Sequence, residues 1–194
     1  MKEKPIIDDK TMFEDIQRIA MERLEESGVF TAPVMLRGLV RGHGIEVIER
    51  PLVDSSGFIV VDKEDPVVIN DVKYPKLIVV KSNYDIKKKR SVIAHEMAHY
   101  FLSGKDKPLY AHCERECDVD TKEELHATIL GRHLLMPSHM FKRFVGRLEN
   151  AGIKDDEKII SEISDHFVVT KEDAEERYGQ YLNEKYGQSL IRGA

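Results

Sequence analysis

Residues 90–100 read Arg90-Ser91-Val92-Ile93-Ala94-His95-Glu96-Met97-Ala98-His99-Tyr100. They lie in a longer run, Lys87 to Ser103, where Val92, Ile93, Ala94, Met97, Ala98, Phe101 and Leu102 recur at helical spacing and Gly104 ends the pattern. The spacing predicts a helix with one side to bury. Inside it, His95-Glu96-Met97-Ala98-His99 is an HExxH. Side chains four apart on a helix share a face, so both imidazoles can reach one ion. Zinc takes histidine nitrogen at about 2.0–2.1 Å. Glu96, beside the first histidine, can reach a zinc-held water without ligating the metal. The metal acidifies that water and the glutamate takes its proton. His95 and His99 are therefore the candidate ligands of one zinc ion, Glu96 the candidate general base, and peptide hydrolysis the candidate reaction.

A catalytic zinc site has three protein ligands and one open position. The metzincin spacing would put the third ligand at Lys105, with Leu102 where a glycine belongs, and so it is excluded. The next helical run, Thr121–Leu135, offers Glu123, Glu124, His126 and His133. Glu123, His126 and Leu130 lie broadly on one face, and spacing alone does not choose between Glu123 and His126.

Working outward, the chain begins with an amphipathic helix, Lys10 to Glu26, stopped by Gly28, and a short second helix over Pro33–Val40. Four β-branched stretches follow: 45–49, 57–62, 67–70 and 77–81. They predict a small sheet of three or four strands. After the two candidate zinc helices, Phe141, Phe144, Val145 and Leu148 mark another helix. Residues 155–186 read as two more, resembling a helix–turn–helix, with Thr170 and Asp173 placed to cap the last. The fold class is α+β, a small β-sheet packed beside a helical half that carries the HExxH helix, with a helical C-terminal tail. Residues 1–150 form the expected catalytic domain. Residues 151–194 form a tail expected to pack on it.

The chain has 194 residues, 30 Lys and Arg, 35 Asp and Glu, and a net charge of −5. That balance argues against sequence-independent nucleic-acid binding. The second tail helix is acidic, which makes direct contact with DNA unlikely on the same ground. Apolar runs are too short to cross a bilayer, and residues 1–9 lack a signal-peptide core, so the expected location is cytoplasmic. Cys113 and Cys117, two cysteines in a charged segment, read as free thiols. His133, His139 and Tyr100 read as packing or surface residues before they read as helpers of catalysis, and Tyr110 is a possible oxyanion donor. Lys87-Lys88-Lys89-Arg90 reads as a solvated helix start, although cations there oppose the helix dipole.

From residue 11 to 150 the chain resembles the ImmA/IrrE-type zinc metallo-endopeptidases. The matching pieces are Pro33-Val34-Met35-Leu36, Gly44-Ile45-Glu46-Val47, Gly57-Phe58, the quoted 90–100 stretch, Ala127, and Leu134-Leu135-Met136-Pro137. The family places a glutamate ligand directly before the residue matching Ala127, where this chain has His126. The resemblance therefore implies a three-histidine zinc site of His95, His99 and His126. Glu123 is the alternative third ligand, and a metal-free relative is the third possibility. It also implies an intracellular protease whose protein substrate is a helix–turn–helix repressor, in a phage, mobile-element or stress-response setting. A catalytically weak regulator that binds a repressor or DNA is the competing reading.

Overall fold

The structure is a computed structural model and describes residues 11–103, 108–112 and 121–191. The chain begins with α1 (Met12–Glu26) and α2 (Leu36–Gly42). Ile16, Ile19, Ala20 and Leu24 form the buried stripe of α1, and Gly28 leaves the helix at φ 64°. Four strands then alternate with turns: β1 (Glu46–Arg50), β2 (Gly57–Val61), β3 (Val67–Ile69) and β4 (Val72–Tyr74). β5 (Lys76–Lys81) closes this part of the chain.

β1, β5, β2 and β6 (Leu109–His112) make one sheet in that order. β1 runs parallel to β5, whereas β2 is antiparallel to both of its neighbours. β3 and β4 stand apart as a hairpin. Asn70 and Asp71, at φ 50° and 64°, give that hairpin the left-handed pair that a two-residue turn requires. The expected strand over 67–70 therefore pairs with a strand unrecognised in the sequence, outside the main sheet.

The helical half follows. α3 (Ile86–Ser103) lies across β2 and β5, and α4 (Thr121–Leu135) packs against α3 and α1. Gly57 makes the first contact possible: a Cβ there would sit 2.5 Å from Val92 Cγ1 and 2.8 Å from the Val79 carbonyl oxygen. α5 (Ser138–Asn150), α6 (Asp156–Phe167) and α7 (Lys171–Ile191) complete the chain. The α+β class expected from the sequence is the class observed.

Asp85 starts α3, its Oδ1 accepting from the Lys88 backbone N–H at 2.8 Å. The basic run beyond it is not a solvated patch. Lys87 binds Ser164 and Asp165 of α6, Lys89 pairs with Glu49 of β1, and Arg90 donates to the carbonyls of Val34 and Val168. These side chains tie the helical tail and the sheet edge to α3. That accounts for cations at a helix start where the dipole disfavours them. At the other tail helix, Thr170 Oγ1 accepts from the Asp173 N–H at 3.1 Å, the expected cap.

Candidate metal centre

α3 presents His95 and His99 on one face, with their Nε2 atoms 3.0 Å apart. Between them comes a carboxylate from α4. Glu124 Oε2 lies 3.2 Å from His95 Nε2, and Oε1 lies 3.1 Å from His99 Nε2. One ligand atom from each of the three lies within 4.8 Å of the others, a group that could hold a metal ion. Tetrahedral zinc with bonds of 2.0–2.1 Å would hold its ligand atoms about 3.3–3.4 Å apart. The donor set and its spacing therefore fit one such ion.

His126 is not part of this group. It is buried, 8% exposed, and its Nε2 has no hydrogen-bond partner among the described residues. Nor does the alternative, Glu123, enter the group. This placement has a simple physical reason. Two residues turn a helix by roughly 200°, so Glu124 and His126 point to nearly opposite sides of α4. The side that meets α3 is marked by Gly131, where a Cβ would lie 3.1 Å from His95 N and 3.2 Å from the Ala94 carbonyl. Counting back from Gly131 by helical steps gives Thr128, Ala127 and Glu124. That spacing back from Gly131 is the signal the sequence offered.

Glu96 sits one residue from the first imidazole and is 1% exposed. Its carboxylate takes a hydrogen bond from the Ile59 backbone, while Oε2 has no partner. Burial pushes its pKa up to about 7, a rise that Glu124 adds to and the nearby His95 opposes. Burial also lowers His99, to about 4, which keeps that imidazole neutral and free to ligate at neutral pH. Glu124 moves the other way: its hydrogen bond with His95 holds it below the usual carboxylate range. Thr128 Oγ1 lies 3.5 Å from His95 Nδ1, on the side of the ring away from the carboxylate.

A cleft of about 280 Å³ opens beside these residues, between α3, α4 and the start of α7. His95, Glu96 and Glu124 line one end, and Lys88, Arg132 and Glu172 line the other. His133 is absent from the cleft wall. It is 1% exposed, Ser138 Oγ lies 3.3 Å from its Nδ1, and burial pulls its pKa well down. His139 is exposed. Tyr100 is buried, and its hydroxyl accepts from Lys76 Nζ at 2.8 Å, a packing role. Cys113 and Cys117 lie outside the described residues, as does the side chain of Tyr110.

No helix among the described residues is long and apolar enough to cross a membrane. No curated protein matches the chain. A family model does: Peptidase_M78, the IrrE N-terminal-like domain, matches residues 40–178. The match takes in the sheet, both helices of the candidate metal centre, α5, α6 and the first part of α7. The chain belongs to that peptidase family.

Proposed function

From this membership and the geometry of the site we propose that the protein is a zinc-dependent endopeptidase of the cytoplasm. The observation that carries the reading is the convergence of His95, His99 and Glu124 beside the buried, half-unpartnered carboxylate of Glu96. When bound, zinc supplies the Lewis acid that polarises the scissile carbonyl and acidifies the attacking water. The rest falls to the chain itself. His95, His99 and Glu124 hold the site, with Glu124 as third ligand in place of His126. Thr128 can accept the second N–H of the His95 ring and fix which nitrogen ligates. Glu96 takes a proton from water and returns it to the leaving amine, and a carboxylate near pH 7 is suited to both transfers. The reaction so proposed needs no acyl-enzyme.

The substrate we propose is a protein, and more finely a helix–turn–helix repressor, as the family resemblance implies. The tail's second helix does not supply a free DNA reader, because Asp173 at its start is bound to Ser91 of α3 and Arg132 of α4. This supports the protease reading over the DNA-binding one. The test pairs metal analysis with cleavage. Wild-type protein should carry zinc near one equivalent and cleave a candidate repressor, and Glu96→Gln should keep the zinc and lose the cleavage. If repressor loss persists with Glu96→Gln, proteolysis is not the mechanism and the binding-regulator reading takes its place.

A further inference from the structure

Asp173 belongs to the tail, yet it binds both helices that carry the metal-site residues. Its Oδ2 accepts hydrogen bonds from Ser91 Oγ on α3 and from Thr170 Oγ1 at its own helix start. Its Oδ1 accepts from Arg132 Nε on α4 at 3.2 Å. Ser91 is one helical turn before His95, and Arg132 is about two turns beyond Glu124. Arg132 also pairs with Glu176 on the same tail helix, Nη1 to Oε2 at 3.6 Å. One carboxylate thus spans α3, α4 and α7 at the far end of the cleft that the site residues line.

We propose that Asp173 is a positioning residue for the metal centre. It buckles α3 to α4 through α7 and sets the axial register in which Glu124 meets His95 and His99. This rests on the metal-site reading above and adds a role for the tail. The contact between the two ligand helices needs such a device. Its closest point is Gly131 against the backbone of residues 94–95, and a contact with no side chain at its closest point fixes distance better than it fixes sliding. Ligand geometry tolerates only about 0.5 Å of error. A carboxylate held by two hydroxyls and a guanidinium is a directional, charge-assisted brace between the two helices.

The experiment titrates metal-stripped full-length protein with cobalt(II) in competition with a chelator, reading both affinity and the visible absorption of the ion. Thermal melts of the metal-free proteins run alongside. Asp173→Ala should weaken cobalt binding about tenfold, the lower end of what groups supporting a ligand contribute, and alter the absorption band. Ser91→Ala removes one hydrogen bond and no charge, so it should weaken binding less and in the same sense; it carries the test if Asp173→Ala does not fold. Lys185→Ala is the control. It breaks another anchor of α7, the pair with Glu149 of α5 at 2.9 Å, and touches neither ligand helix. Its affinity and spectrum should match wild type. Wild-type affinity and spectrum in both Asp173→Ala and Ser91→Ala would overturn the inference. So would a loss of affinity in Lys185→Ala that follows its melting temperature, since binding would then only track tail docking. If wild-type protein takes up neither cobalt nor zinc, the metal-site reading itself fails, a result distinct from both.

Discussion

Glu96 is buried, His99 is partly buried, and the two titrate in opposite senses. Burial raises Glu96 from its ordinary 4.5 to about 7 and lowers His99 from 6.5 to about 4. Consider the metal-free protein between pH 4.5 and 6.5. The folded chain holds a protonated Glu96 and a neutral His99, and the unfolded chain holds a carboxylate and an imidazolium. Each state carries one proton on the pair. The slope of stability with pH follows the difference in bound protons, so the pair contributes almost none in this window. Taken singly, each residue contributes a slope. Glu96 has a raised folded pKa, so its contribution is full below 4.5 and is lost as pH rises through about 7. His99 has a lowered one, so its contribution is full above 6.5 and is lost as pH falls through about 4. Glu96→Gln removes the first slope and leaves the second. The stability of the variant minus that of wild type should therefore climb as pH rises from 4.5 to about 7. At about 1.36 kcal/mol for each pH unit, the full climb is about 3 kcal/mol, an upper bound because denatured chains are not fully solvated. The assay is urea unfolding of chelator-treated proteins, followed by far-UV circular dichroism across this range. A difference that stays constant with pH would refute the reasoning, because Glu96 would then be ionised in the folded protein despite its burial.

Glu124→Ala should lower zinc affinity by at least about a hundredfold, more than the loss of a supporting group, while His126→Ala should leave zinc content near wild type. Mass spectrometry of both proteins decides this, and the opposite ranking would restore His126 as the ligand. Gly131→Ala puts a Cβ 3.1 Å from His95 N and should cost about 1–3 kcal/mol of overpacking. Unchanged denaturation and zinc content would show that the helices can separate freely. Arg177 is 0% exposed, with Nε and Nη1 unpartnered and the Glu184 carboxylate 4.0 Å from Nη1. Burial lowers its pKa to about 10. Arg177→Met keeps the contact over Phe141 and removes the desolvated charge, so stability should hold or rise by about 1 kcal/mol. A loss above 2 kcal/mol in chemical denaturation would show that the poorly paired cation is a net stabiliser.

The long helices were legible because their periodic patterns have clear stops. Thr121–Leu135 is legible to the residue, since Pro137 comes two positions after its end. The pair His95 and His99, with Glu96, was legible for a related reason: a four-residue spacing within one helix fixes geometry locally. The carboxylate that meets them, Glu124, was not, because that depends on how α4 is rotated against α3. It turns on Gly131, a glycine whose importance shows only when the backbone of α3 is in place. β4 and β6 escaped notice because three or four residues hold too little alternation to stand out. The basic run at 87–90 looked solvated because its partners, Glu49, Ser164 and the carbonyls of Val34 and Val168, are distant in sequence. The resemblance supplied the family correctly, while neither residue it offered as third ligand, His126 or Glu123, enters the group formed by His95, His99 and Glu124.

The strand order has a consequence for biosynthesis. β5 lies between β1 and β2, so no part of the main sheet can pair until residue 81 has been made. At about 5–20 residues per second, Glu124 follows His99 by roughly 1–5 s. In that interval a nascent chain holds β1, β2, β5 and both imidazoles, without the Glu124 carboxylate that joins their group. Asp173 arrives later still. Assembly in this order leaves the proposed metal site incomplete while the ribosome and unfinished neighbouring chains are within reach.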